Sequence, residues 1–536
     1  MNSHSSVLRD FTVDRRVWLL SAVAVGIGVG AAALAVVLLK AIALCTNLFY
    51  YHRFSLVSVD PAGSPLGPWM VIVPVVGGLI VGLMARFGSD KIRGHGIPEA
   101  IEAILLNGAR VQPSIAVLKP VSAAISIGSG GPFGAEGPII MTGGAFGSLV
   151  AQWMHLTDAE RTTLLVAGAA AGMSATFAVP LAAILLAVEL LLFEWRPRSL
   201  VPVAFASITA QIVRVLWLGP GPLFAMPNLP YQQSAPVALA ALALGLAVGV
   251  AAAGLSRMMY GFEDLFERLP VHWMWWPAIG GVGIGVGGLF FPRGLGVGYD
   301  NIAELLRGNA PLSLLLGLVL AKSLMWAFSL GSGTSGGVLA PLLMVGGAMG
   351  ELAAHAAHAS APQQALWAAA GMGAMLSGSL GVPLTAIAFC LEITHCLPAL
   401  LPVMLSCVAA YAMTSLIMPR SILTEKLGRR GTHLTREYGT DPLETVSLVE
   451  VMAELGQMEC GGAAPEAPLP DVYAFADETS RAAVEKMATS GLSSLLVIDR
   501  DSGTIRGTVR LSDLLLGRRK LIRREQRRER VFTGSR

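Results

Sequence analysis

Charge is what this sequence has least of. Only 14% of its 536 residues are Asp, Glu, Lys or Arg, against about 25% in ordinary soluble domains. The deficit is uneven. Most charges lie in the first 16 residues, in short loops, or from Arg420 onward. Between them, segments such as 17–39, 237–255 and 397–418 carry no Asp, Glu, Lys, Arg or His. Each is long enough to cross a hydrocarbon layer of about 30 Å as a helix, which excludes an ordinary soluble enzyme body. Cysteine is scarce too: Cys45, Cys390, Cys396, Cys407 and Cys460 show no paired spacing. That excludes a disulfide framework or a metal knuckle, and each thiol reads as a small buried residue. No cleavable signal stands out, because the first apolar stretch, 17–44, exceeds an h-region of about 7–15 residues. A net charge of +3 gives no support to a nucleic-acid role.

Where the charges fall says more than their sum. Arg9, Arg15 and Arg16 precede the first apolar stretch, and Arg420, Lys426, Arg429 and Arg430 follow the last. Positive charge collects on the cytoplasmic side, so both termini are expected there and the number of crossings is expected to be even.

What the sequence has in abundance is self-similarity. Gly128-Ser129-Gly130, Gly134 and Pro138 match Gly331-Ser332-Gly333, Gly337 and Pro341 at one offset, 341 − 138 = 203. Val179-Pro180-Leu181 matches Val382-Pro383-Leu384, and Glu189 matches Glu392, still at 203. One register held over more than 50 residues is the mark of a duplication. Duplicated halves place a transporter's site at their interface near the midplane. The first copy ends in Glu194-Trp195-Arg196-Pro197-Arg198 and the second in Thr394-His395-Cys396-Leu397, without fixed positive charge. That asymmetry predicts opposite faces, hence inverted repeats.

Three segments break the apolar pattern: Gly94-His95-Gly96-Ile97-Pro98-Glu99, Gly134-Ala135-Glu136-Gly137-Pro138 and Gly337-Val338-Leu339-Ala340-Pro341. In each, Pro lies where a new helix begins, a position whose N–H needs no intrahelical partner. A helix starting inside the membrane leaves its first N–H groups open, and these, with the positive end of the dipole, stabilise an anion. Such breaks survive at membrane depth only around protein or a wet cavity. Simple helix-packing glycines are the bland alternative. Glu136 lies in an otherwise uncharged run, 120–154, and an ionisable residue there marks function. Its carboxylate mimics an anion. Two negatives about 4 Å apart repel by roughly 4 kcal/mol at an effective dielectric of 20. Protonation or a swing of the side chain relieves that repulsion, so Glu136 is the expected gate.

Taken together, these segments resemble the three signatures of the CLC family of voltage-gated chloride channels and chloride/proton antiporters. The first is similar to GSGIPE, the second to GKEGP or GREGP, the third to GxFxP, and Lys119 falls where the family carries a basic residue. The resemblance implies an all-α polytopic membrane protein, an inverted repeat of tilted and broken helices. It implies a homodimer with one anion pathway per subunit in the inner membrane, without cofactor, metal or catalytic activity. It assigns anion binding to His95, Gly96, Ile97, Val338, Leu339 and the position of Leu423, and gating to Glu136. Three positions depart from the family. His95 stands for the motif serine, Leu423 for the central tyrosine, and Leu190 for the internal proton-transfer glutamate. Leucine cannot relay a proton, so the resemblance implies chloride transport that is channel-like or weakly proton-coupled. Glu194, one turn on along the same helical face, could substitute and restore antiport. Loss of both side-chain donors leaves open chloride against nitrate, fluoride or another anion.

The expected organisation is a cytoplasmic N-terminus (1–16), a membrane domain (17–431, repeats about 17–198 and 199–418), a linker (432–471), a small α/β module (472–517) and a basic tail (518–536). The module's helix–strand–turn–strand–helix pattern resembles a CBS module, with Asp513 as a nucleotide contact. The tail reads as a solvated basic helix or a lipid contact. Two other classes compete. An intramembrane serine hydrolase would use Ser129 or Ser332 with His355 or His358. A cation-coupled carrier would use Glu136 as a ligand.

Overall fold

The computed structural model describes residues 15–231, 234–430, 443, 448–454, 472–500 and 502–516. The N-terminal arm and the basic tail expected at 518–536 lie outside the described residues. The chain divides into two units, the membrane domain up to 430 and a small C-terminal unit.

In the membrane domain the first copy comprises α1 (Arg16–Tyr51), α2 (Ile72–Phe87), α3 (Ile97–Leu106), α4 (Pro113–Gly128), α5 (Glu136–Gln152), α6 (Asp158–Phe177), α7 (Pro180–Leu186) and α8 (Pro197–Leu218). The second comprises α9 (Ala235–Glu267), α10 (Trp276–Phe290), α11 (Tyr299–Leu305), α12 (Leu312–Leu316), α13 (Ser323–Gly331), α14 (Leu339–Ala356), α15 (Ala361–Leu380), α16 (Pro383–Thr394) and α17 (Leu400–Ile417). The short α18 (Ile422–Arg429) closes the domain. The 203 offset survives element by element: α5 and α14 (339 − 136), α6 and α15 (361 − 158), α7 and α16 (383 − 180). It also carries α8 onto α17 (400 − 197 = 203), so the first repeat runs through Leu218 and not to 198 as its charged flank suggested.

Contacts between the halves are reciprocal, as an inverted repeat requires. Gly134 N–H donates to Gly337 C=O at 3.2 Å, and Gly337 N–H returns a bond to Gly134 C=O at 2.8 Å. Gly78 packs on the Pro277 carbonyl, while Gly281 packs on that of Pro74. Glu189 accepts from Leu384 and Thr385 N–H (3.1 and 2.8 Å), and Glu392 accepts from Leu181 and Ala182 N–H (2.9 and 2.8 Å). Each carboxylate thus caps the first turn of the other copy's Pro-initiated helix, where backbone donors have no partner of their own.

Seven described helices are long and apolar enough to cross a membrane. Length and hydropathy miss α6 and α15, each 20 residues long, because they are enclosed by protein and need no lipid-facing surface. The two are buried along nearly their whole length. Gly143 and Gly168 admit α5 against α6 with backbone in contact, as Gly346 and Gly371 do for α14 and α15.

The C-terminal unit is a four-stranded sheet in the order β1-β4-β3-β2, formed by β1 (Ala453–Glu454), β2 (Ala474–Phe475), β3 (Ser494–Ile498) and β4 (Ile505–Arg510). β4 runs antiparallel to β1 and β3, and β2 runs parallel to β3. A helix, α20 (Ser480–Ser490), and a helical turn at 511–516 complete the predicted pattern, and α19 (Leu448–Val451) precedes β1. The expected linker is thereby shortened. Residues 448–454 belong to the module, with Ala453 paired to Thr508 and Leu448 buried in its core. A two-residue strand is too short for an alternating pattern to reveal.

Candidate anion site

Segment 94–99 turns through Gly94 and Gly96 at φ +78° and +88°, conformations that suit glycine. The turn ends at the first residues of α3, with Pro98 in the opening turn. It is clamped from below. The Lys119 ammonium on α4 is fully buried and donates to the carbonyls of Ile92 (2.8 Å) and Gly94 (2.7 Å). The second copy repeats the device: Lys322, also fully buried, donates to Gly294 (2.9 Å) and Gly296 (2.8 Å). Lys322 went unnoticed in the sequence, although 322 − 119 = 203 gives it directly. Each ammonium satisfies two carbonyls left open by an irregular turn. Lys119→Met and Lys322→Met are each expected to destabilise the domain by about 2–6 kcal/mol, from two orphaned acceptors. Thermal unfolding in detergent checks this, and an unchanged midpoint for either would show that clamp to be dispensable.

Segments 134–138 and 337–341 meet at the Gly134–Gly337 bridge, from which α5 and α14 depart. Gly137 lies against the His95 carbonyl and within contact of the Gly337 Cα. All three predicted helix starts therefore converge, and Gly96, Ile97, Glu136, Val338 and Leu339 are all buried there. The Glu136 carboxylate rests on Gly134 and Gly337, where a Cβ on either would collide with it. The N–H groups of Glu136 and Ala340 face it, but neither carboxylate oxygen closes a hydrogen bond. The carboxylate is thus fully buried among helix N-termini with no hydrogen bond closed on it.

A cavity of about 820 Å³ leads to this junction and reaches Gly94, His95 and Met141. The Nδ1 of His95 is buried without a partner. Glu99 receives Lys426 at 2.6 Å, and Arg430 pairs with Glu102, so α18 is pinned to α3. Leu423 is fully buried on α18, and the Tyr260 hydroxyl donates to the neighbouring Ile422 carbonyl at 2.6 Å.

Beyond α7 the chain widens into a π-turn, Ala187–Leu192, in which Leu190 is fully buried. Here one expectation fails. Phe193 adopts φ +52° and ends the helix, so Glu194 is not on its face. Glu194 is instead held by Arg196, Arg198 and Ser199. The serine constellation is also absent. Ser129 and Ser332 are buried and donate to the carbonyls of Ser126 and Ser329, whereas His355 and His358 are exposed. In the module, an Asp513 oxygen accepts the Arg510 N–H at 2.9 Å and closes its own turn.

Two inverted copies whose broken helices converge their N-termini define a class of membrane protein with its site at the repeat interface. The family model described as Voltage gated chloride channel matches residues 77–415, and the chain belongs to that family. It is 32% identical over 368 residues to an H(+)/Cl(-) exchange transporter ClcA of Citrobacter koseri, covering 65% of this chain and 75% of that one. It is 29% identical over 372 residues to a putative chloride channel protein ClcB-like of Ralstonia nicotianae, covering 68% and 86%. Its fold is similar to that of a slow cyanobacterial Cl-/H+ antiporter (TM-score 0.68, 23% identity, 78% of this chain and 99% of that one). It is also similar in fold to a CLC-type fluoride/proton antiporter (TM-score 0.64, 20% identity, 77% and 98%).

Proposed function

We propose that this protein conducts chloride or a similar small anion across the bacterial inner membrane, with Glu136 as the gate and weak or no proton coupling. The observation that carries this reading is the Glu136 carboxylate: fully buried and unbonded, where three helix N-termini meet. An anion passes from the cavity by His95 to the amides of Gly96, Ile97, Val338 and Leu339, then displaces Glu136. Lys426, Arg429 and Arg430 in the cavity wall favour a cytoplasmic opening by the positive-inside rule. Leu423 offers an apolar wall at that level. Leu190 supplies no proton carrier, and Glu194 is committed to its arginines.

The second reading is coupled chloride/proton exchange, favoured by the ClcA relatives named as exchange transporters. Purified protein in vesicles under crossed chloride and proton gradients tests both. The expected reversal potential is that of chloride alone. A displacement set by the proton gradient would establish exchange and a relay that bypasses Leu190.

The reading includes a homodimer with one pathway per subunit, both termini cytoplasmic. Repeat-related Leu181 and Leu384, each 53% exposed on the adjacent α7 and α16, suit a face that a second subunit covers. The C-terminal unit acts as a single CBS-like module with a structural role. Asp513 is its candidate nucleotide contact only if a ligand displaces the Arg510 N–H.

A further inference from the structure

Of the basic residues that line the cavity, Lys91 and Arg110 are exposed, whereas Arg93 is half-buried and is not used by the anion pathway described above. Arg93 lines the cavity beside Gly94 and His95. Its Nε is buried without a hydrogen-bond partner, and it forms no ion pair among the described residues. The basic groups that α18 and its C-cap bring to the same wall are engaged: Lys426 by Glu99, Arg430 by Glu102, Arg429 by Asp264 and Glu425. Asp90, Glu263 and Glu267 share the cavity with Arg93, yet none closes on it.

The guanidinium is nonetheless held in place. It lies over the rings of Trp273 and Trp276, 4.8 and 5.5 Å from their centroids. It also fills the space where Gly333 lacks a side chain: a Cβ there would lie 2.8 Å from Nη2, 2.9 Å from Nε and 3.3 Å from Cζ. Gly333 itself sits at φ +79°. The duplication supplies a control. The equivalent space over Gly130 (333 − 203) takes the Tyr50 hydroxyl, which finds an acceptor in the Ser129 carbonyl at 3.0 Å. In one copy, then, the polar group filling this space is satisfied, and in the other a charged donor set is left open beside a cavity. A charged donor set without a partner is costly; Gly333 closes the Nε side, so a ligand supplies acceptors to Nη1 and Nη2.

We infer that Arg93 is an anion-binding residue in the cavity wall and that its ligand is a small planar oxyanion of the nitrate or short-carboxylate class. The inference rests on the anion-transport reading and extends it to selectivity. All guanidinium N–H bonds lie in one plane; tryptophan covers its face and Gly333 its Nε–Nη2 edge, which leaves the Nη1–Nη2 end for the ligand. Two parallel N–H···O bonds match a planar oxyanion, whereas a spherical halide meets the charge at a single point.

Binding of nitrate and of chloride to purified protein is measured by calorimetry for wild type, Arg93→Gln and Arg93→Lys. Arg93→Gln is expected to weaken nitrate about 10- to 100-fold, the worth of a charged hydrogen-bond pair, and chloride much less. Arg93→Lys is expected to recover chloride but not nitrate. Gly333→Ala, which displaces the guanidinium while keeping its charge, is expected to repeat the nitrate loss and serves where Arg93→Gln does not fold. Equal binding of both anions by wild type and Arg93→Gln overturns the inference. So does full recovery of nitrate by Arg93→Lys, which would reduce Arg93 to a diffuse charge. Chloride flux of the wild type in vesicles separates the two levels: no flux sinks the transport reading, whereas flux with unaltered nitrate binding in Arg93→Gln sinks this inference alone.

Discussion

Vesicles carrying Glu136→Gln or Glu136→Ala are expected to release chloride at a rate that does not respond to pH, while the wild type speeds up as pH falls. The sign follows from the geometry. Ionised, the carboxylate occupies the place of an anion, with the N–H groups of Glu136 and Ala340 facing it. A chloride about 4 Å away would be repelled by roughly 4 kcal/mol at an effective dielectric of 20, which is nearly three powers of ten in occupancy. Protonation removes the repulsion, so acid opens the path. Gln has the size of the acid without its charge, and Ala removes the side chain altogether. Both are expected to lock the path open, Ala with the higher rate because it also vacates the space against Gly134 and Gly337. The measurement is chloride efflux after an imposed pH step. If both variants keep the wild-type pH response, the gate lies elsewhere.

Much of this site was legible because its chemistry is made by backbone. A helix start inside a membrane needs Gly to turn and Pro to begin, and those residues stand out against apolar sequence at 94–98, 134–138 and 337–341. The duplication was legible for the same reason, since close backbone contacts hold glycines at fixed places in both copies. What escaped were side chains that act across the repeat. Glu189 and Glu392 were visible as partners in sequence, but nothing in a linear pattern says that each reaches the other copy's helix. Lys322 escapes because the family motif marks only Lys119, and the 203 offset alone leads from one lysine to the other. A 3.6-residue period places Glu194 on the face of Leu190, but the π-turn and the left-handed Phe193 end that period before it reaches Glu194. The charged flank at 194–198 imitates the end of a repeat, although Pro197 there begins the helix that answers α17.

Replacing either reciprocal cap is expected to loosen the pairing of the two copies, and Glu189→Ala more than Glu392→Ala. Each carboxylate binds two N–H groups at the start of a helix whose opening donors have no other partner. A hydrogen bond to a charged group contributes about 1.5–3 kcal/mol. Both side chains are only partly buried, so solvent screens part of that and a loss of about 2–4 kcal/mol per cap is expected. Glu189 also accepts the Thr385 hydroxyl at 2.6 Å, a contact Glu392 lacks because the equivalent residue is Ala182. That extra bond sets the order of the two variants. The caps share one load, the contact of α7 with α16, so the double variant should lose less than the sum of the singles: once one cap is gone the pair has already moved apart. Thermal unfolding of the purified protein in detergent reads all three. Equal losses for the two single variants would deny the Thr385 bond its weight, and strictly additive losses would mean that each carboxylate serves its own helix start without tying the copies together.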